Sequence, residues 1–370
     1  MGQTIPAVGS DTREEGSHGP RWHWTAGLIV VAVVVAGVGV AIAAVQRPRA
    51  VAIAPAPSKS AATTTPLPTP VPAGPVTGLG TSIADDPATH RVVLFGGVGT
   101  SDKTWLWDGR RWTSVTPDTS PEPRSGAAIT YDPATRLIML FGGQGLGEGL
   151  QFNDTWPWNG STWRRLDSGG PAGPFVGEGA HMVWDAARDR MILVTSAGTL
   201  TDGETWSWGG TRWIRETHGN VNATVVDGTV AYDAASKTVL LVTPATANGV
   251  RSATFGWNGS TWPTLVADGP QLDGLAEAVQ VDGLVACGPA TSSTAFAVQA
   301  TCWEWESTEW YQLQEAITTA AGTSITVAGE VDDADRGQLL MIGWLVAPVP
   351  NNPQPLCVWA WDGTKWTLSE

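Results

Sequence analysis

The chain has 370 residues, with 44 Gly, 26 Pro and 21 Trp against only 21 Lys plus Arg, and a formal net charge of −14. That length admits two ordinary domains or one large all-β domain with appendages. Strand formers broken at short intervals by Gly, Pro, Asn and Asp favour many short strands. No basic run or stripe is present to neutralise phosphates, which argues against nucleic acid as a partner, and three cysteines are too few for a disulfide scaffold.

In chain order, residues 1–24 read as a disordered cytoplasmic tail carrying Arg13 and Arg21 with Glu14 and Glu15. Residues 25–45 hold no charge and are dominated by Val, Ala, Ile and Leu. Such a run is long enough to cross a hydrocarbon core of ~30 Å as a single transmembrane helix. Trp22 and Trp24 stand just ahead of it, where interfacial aromatics anchor a span. A cleaved signal peptide is the rival reading, but its apolar region would be shorter and its leading segment basic. An uncleaved signal-anchor is therefore expected. Residues 46–78 are rich in Pro, Ala and Thr and form a semi-extended spacer. Arg47 and Arg49 balance the basic residues before the span, so charge alone does not orient it. The spacer favours a domain lifted off the outer surface of the cell membrane, with the chain single-pass and its large domain extracytoplasmic.

Residues 79–370 carry an internal repeat. Its core is Trp-x-Trp, a turn, then Trp: Trp105, Trp107 and Trp112; Trp156, Trp158 and Trp163; Trp206, Trp208 and Trp213; Phe255, Trp257 and Trp262; Trp303, Trp305 and Trp310; Trp359, Trp361 and Trp366. The second and third aromatics are five residues apart in all six copies, and copies recur every 48 to 56 residues. Asp-Gly or Asn-Gly between the last two marks a tight hairpin, expected as type I′ with positive φ at both central residues. Strand alternation puts the three aromatics on one face, to fill the gap between adjacent blades. An earlier hairpin precedes each copy, with turns beginning at Asp86, Asp132, Asp185 and Asp233. Two hairpins make a four-stranded blade, and six blades close a ring. The sequence leaves open whether a strand is exchanged at the closure.

Arg136 to Gly143, followed by Asn153-Asp154-Thr155-Trp156, resembles the kelch repeat, with its double glycine closing a second strand. The double glycine occurs as Gly96-Gly97 and Gly142-Gly143 but gives way to Ser196-Ala197 and Thr243-Pro244. The fold expectation is all-β: a six-bladed kelch-like β-propeller, similar to bacterial kelch-like and galactose-oxidase-like propellers, preceded by one transmembrane α-helix and the linker. Pro121 to Gly126 resembles the kelch approach to the innermost strand, which implies that Arg124 faces the central channel.

Function is less legible. The connections from second to third strand and from blade to blade are long, and those on the opposite side are short, so the long-loop face is the candidate site. Its distinctive residues are Arg124, Phe175, Glu178, His181, His218, Arg251, Trp344 and Asn351. Galactose oxidase, which shares the scaffold, uses tyrosines, histidines and a cross-linked cysteine around copper; here no paired-His spacing points to a metal, and no cofactor is expected. Asp202 to Trp206 resembles a sialidase Asp-box without its D-x-G spacing. Cys287, Cys302 and Cys357 read as buried thiols, with a Cys287 to Cys302 bridge between neighbouring strands as the alternative. The reading is a membrane-anchored, non-catalytic recognition module binding a protein or glycan; the alternative is a membrane-tethered carbohydrate-active enzyme of galactose-oxidase or glycosidase type.

Overall fold

The computed structural model describes residues 74–75 and 80–369, apart from 98–101, 146, 148, 167–179, 197–202, 222–227, 244–251, 268, 270–276, 282, 290–299, 307, 314–323, 347–355 and 362–365. The expected tail, membrane helix and most of the linker lie outside the described residues. Among those described there is no helix, and so none long and apolar enough to cross a membrane.

Six antiparallel blades follow one another along the chain. Blade 1 is β1 (Thr81–Asp86), β2 (Arg91–Gly96), β3 (Thr104–Trp107) and β4 (Trp112–Val115). Blade 2 begins with the short β5 (Arg124–Ser125), then β6 (Ala128–Asp132), β7 (Leu137–Phe141), β8 (Gln144–Gly145) and β9 (Thr155–Trp158). Here β6, β7 and β9 form the sheet, β5 pairs with β8, and single bridges from Trp158 to Trp163 and Thr155 to Leu166 stand in for the outer strand. Blade 3 is β10 (His181–Asp185), β11 (Arg190–Ser196), β12 (Gly203–Trp208) and β13 (Trp213–Val221). Blade 4 is β14 (Thr229–Asp233), β15 (Thr238–Thr243), β16 (Ala253–Gly256) and β17 (Thr264–Val266). Blade 5 is β18 (Glu277–Val281), β19 (Gly283–Pro289), β20 (Ala300–Glu306) and β21 (Glu309–Gln312). Blade 6 is β22 (Ser324–Asp333), β23 (Gln338–Val346), β24 (Cys357–Trp361) and β25 (Trp366–Leu368). The innermost strands neighbour one another in a cycle, β1 beside β6, β6 beside β10, and so on to β22 beside β1. Each blade is contiguous in sequence, so the ring closes by packing of the last blade on the first, with no strand exchanged.

Six buried apolar clusters, one per junction, hold the ring together. The cluster between blades 1 and 2 joins Val93, Phe95 and Leu106 to Ile138, Leu140, Trp156, Trp158 and Trp163. The one that closes the ring joins Val92, Leu94, Trp107 and Trp112 to Leu340, Ile342, Trp344 and Val358. In every blade the second and third aromatics of the repeat stack tilted, with ring centroids 5.1 to 5.4 Å apart. The first aromatic is more variable: Trp156 and Trp359 are buried, whereas Trp105, Trp206, Phe255 and Trp303 are only partly so.

A polar bolt accompanies the aromatics. The third tryptophan of one blade donates its indole N–H to a buried threonine of the preceding blade. The pairs are Trp163 to Thr104 (2.8 Å), Trp213 to Thr155 (3.0 Å), Trp262 to Thr205 (2.8 Å) and Trp310 to Thr254 (2.8 Å). Each threonine lies three residues before the second aromatic. At that place blade 5 has Cys302 and blade 6 has Val358. The indole nitrogens that would use them, Trp366 Nε1 and Trp112 Nε1, are buried without a hydrogen-bond partner. Cys302 is disulfide-bonded and stands directly across from Cys287, so the thiol reading fails at this position.

The outer turns differ from the type I′ expectation. Asp108, Asn159 and Asn258 each close a four-residue turn by accepting backbone N–H groups two and three residues on. The side-chain cap starts the turn one residue later, at the Asp or Asn itself. Only the glycine then needs positive φ, at the first central place of a type II′ arrangement: 89° at Gly109, 91° at Gly160 and 99° at Gly259. The inner turns at Asp86, Asp132, Asp185 and Asp233 occur where expected, and blade 6 repeats them at Asp333.

Candidate functional site

Because strands alternate in direction, the four-residue turns all lie on one side of the ring and the long connections on the other. Phe175, Glu178, Arg251 and Asn351 are in connections outside the described residues. His181 begins β10 half-buried, and His218 lies in β13 with its backbone across from Glu204.

Arg124 is not presented to the channel or to solvent. It is 1% exposed, and its guanidinium pairs with both carboxylate oxygens of Asp154, Nη2 to Oδ2 at 3.2 Å. Further bonds run to the carbonyls of Gly142 (2.8 Å) and Glu122 (3.0 Å), and the Phe152 ring lies 3.9 Å below it. Burial pushes the Asp154 carboxyl upward, but the Arg124 hydrogen bonds and charge, with the Trp156 indole N–H, outweigh it and hold the group below the ordinary carboxylate range. The double glycines explain the approach. Gly97 N–H donates to the Arg124 carbonyl at 2.9 Å, and a side chain on Gly96 would collide with that carbonyl. Trp344 likewise lies inside, 8% exposed in β23 and packed in the ring-closing cluster. An aromatic in place of the second glycine fills that seam instead of projecting from the face.

Residues that the sequence reading did not count among its site candidates form the better surface candidate. In blade 3, Glu204 accepts from the indole N–H of Trp206 (3.1 Å) and from Arg215 Nη1 (3.2 Å), and the guanidinium sits 5.7 Å from the Trp206 ring centre. Trp206 and Arg215 are paired across β12 and β13. Trp206 packs against the buried apolar cluster shared by blades 2 and 3, which places the trio at that junction. The Arg215 side chain is 48% exposed and Glu204 12%. Blade 2 has the same trio at the same offsets, as Asp154, Trp156 and Arg165. There Arg124 occupies both oxygens of the acid and the site is closed, with Arg165 standing off at 4.0 Å. In blade 3 the acid takes its charge partner from the surface instead. The signal in the sequence is an acid two residues before the first tryptophan and an arginine nine after it.

Chemically, the blade 3 cluster sets a carboxylate beside a half-exposed guanidinium and a partly buried indole. Among the described residues no group of three His, Cys, Asp or Glu side chains is arranged to hold a metal.

No protein-family model and no curated protein matches the sequence. The fold has counterparts among solved structures. The SapL1 lectin in complex with α-methyl fucoside superposes with a TM-score of 0.53 at 13% identity, covering 79% of this chain and 95% of that one. An arginine-substituted variant of AofleA from Arthrobotrys oligospora gives 0.50 at 14% identity, covering 79% and 85%. At such identity the likeness establishes the architecture: an all-β, six-bladed propeller.

Proposed function

We propose that this protein is a non-catalytic carbohydrate-recognition propeller, held outside the cell by its N-terminal anchor and Pro-rich spacer. The observation that carries the reading is the cluster of Glu204, Trp206 and Arg215 at the junction of blades 2 and 3, where the Arg215 side chain reaches solvent. Neighbouring hydroxyls of a sugar match a carboxylate acceptor beside a guanidinium fork, and the apolar face of the ring matches an indole. The architecture is shared with a lectin whose structure contains a fucoside, which supports the choice of ligand class. The glycines at Gly96-Gly97 and Gly142-Gly143 support blades of kelch type. A disulfide at Cys302 supports an oxidising, extracytoplasmic setting.

A glycan array probed with the full-length chain in detergent tests this. Selective retention on a set of related glycans, with those glycans recovered intact after incubation, is the expected result. Cleaved or oxidised glycans would move the reading to a carbohydrate-active enzyme, and an array without signal would overturn it.

A further inference from the structure

No run of bases marks the sequence, yet the fold gathers eight Arg and Lys on the short-turn side of blades 1 to 4. The turns and the strand starts that follow them carry Arg91, Arg110, Arg111 and Arg136 in blades 1 and 2. In blades 3 and 4 they carry Arg188, Arg190, Arg212 and Lys237. All are exposed except the half-buried Arg188. Aspartates share these turns, but Asp86, Asp132, Asp185 and Asp233 are buried, each accepting the backbone N–H two residues on. Only Asp108 and Asp189 among the turn acids reach the surface.

Some of the cations are answered. Arg111 lies 3.7 Å from Asp108, Arg188 2.9 Å from Asp185 and Arg190 3.3 Å from Glu216. Arg110, Arg136, Arg212 and Lys237 make no ion pair among the described residues. Two of these four are also held in strained backbone. The last residue of each inner turn is left-handed: His90 (φ 58°), Arg136 (59°), Asp189 (54°) and Lys237 (54°), with Gly337 (58°) at that place in blade 6. Glycine is unstrained there, yet blades 1, 2 and 4 hold His, Arg and Lys with exposed side chains, and strain retained at a surface position points to use of the side chain.

The long-loop side has the opposite sign. Its described residues include exposed Asp102, Asp118 and Glu122 against Lys103, since Arg124 is closed off by Asp154. A disc polarised in this way turns its short-turn side toward a negative surface. Four-residue turns spread single cations over that side without a groove, which suits a planar partner better than a threaded chain. We infer that the short-turn side of blades 1 to 4 docks on an anionic lipid bilayer and holds the long-loop side away from it. The inference stands on the propeller's own surface and does not need the N-terminal anchor. Residues between the cations are small, such as Pro133, Ala134, Ala186 and Ala235, so the contact is with headgroups and not by insertion. Each Arg or Lys brought to such a surface strengthens association about fivefold, less in high salt.

The test adds the full-length chain to vesicles of phosphatidylcholine, alone or doped with phosphatidylglycerol, and reads amide hydrogen exchange. With phosphatidylglycerol, exchange should slow in the turns at 86–91, 132–137, 185–190 and 233–238, stay unchanged at 116–120 on the long-loop side, and recover in high salt. Arg136→Glu with Lys237→Glu should weaken docking by about 25-fold or more, with the thermal midpoint near wild type. Arg136→Gly with Lys237→Gly removes charge and strain together, and should weaken docking while raising the midpoint, which keeps the test if the reversed variant folds poorly. Insertion of the N-terminal apolar run would hold the chain on both vesicles at any salt, so failure of the anchor and failure of docking are distinguishable. Equal exchange on the two vesicles, protection that survives high salt or either double variant, or association with neither vesicle would overturn the inference. Protection by dextran sulfate but not by phosphatidylglycerol would overturn it in favour of an anionic polymer.

Discussion

Installing the bolt that the ring-closing seam lacks is the most informative perturbation of the scaffold. Val358 is isosteric with threonine and occupies the register of Thr205, opposite Ile342 as Thr205 is opposite Val194. In an ordinary core, Val→Thr is destabilising because it buries a hydroxyl. Here the new hydroxyl would face the orphaned Trp112 Nε1. A buried hydrogen bond contributes about 0.5 to 1.5 kcal/mol, and relieving an unsatisfied donor recovers about 1 to 3 kcal/mol of desolvation. Against this stand one lost buried methyl, about 0.8 kcal/mol, and the desolvation of the hydroxyl. Val358→Thr should therefore stabilise by about 1 kcal/mol, roughly 2 °C in the midpoint for a domain of this size. The reciprocal change Thr205→Val strands Trp262 Nε1 and should cost about 1 to 3 kcal/mol. Urea and thermal unfolding of both variants, with Trp112→Phe added to Val358→Thr to cancel its gain, would measure this. A loss of stability in Val358→Thr together with no change in Thr205→Val would refute the bolt.

Three further outcomes follow from buried groups. Arg124→Met should destabilise by about 3 to 5 kcal/mol, read by chemical denaturation, because it leaves the Asp154 carboxylate buried without its partner. Trp344→Ala should cost a similar ~3 to 5 kcal/mol by opening a cavity in the ring-closing cluster, whereas a surface residue would move the midpoint little. Reducing the disulfide at Cys302 should lower stability by about 3 kcal/mol, the chain-entropy value for a loop of roughly 15 residues, seen as a midpoint shift on adding dithiothreitol.

Much of the scaffold was legible because aromatic spacing is set by hairpin geometry. Trp107 must lie opposite Trp112, and four turn residues keep them five apart in every blade. The threonine bolts were not legible, since Thr104 or Thr205 reads as one more strand former until the blade-to-blade contact is known. Arg124 misled for a physical reason: a single arginine on a connection looks free when its carboxylate, Asp154, is thirty residues away across a fold. Trp344 misled because its place in the repeat belongs to a glycine at the loop edge, and only the packing shows that the seam has room for an indole. The Glu204 and Arg215 pair was hidden for want of strand register, which alone brings residues eleven apart to one surface.

The central claim is that the junction of blades 2 and 3 recognises a sugar through Glu204, Trp206 and Arg215. Isothermal titration of the full-length chain with the strongest array glycan, alongside Arg215→Ala and Arg165→Ala, tests it most directly. Arg165 is the matched control, at the same repeat position beside an acid that Arg124 already occupies. Loss of a charge-assisted hydrogen bond of about 1.5 to 3 kcal/mol predicts roughly a ten- to hundredfold weaker affinity for Arg215→Ala, with affinity unchanged for Arg165→Ala and both midpoints near wild type. Binding that survives Arg215→Ala, or falls equally in the two variants, would contradict the account.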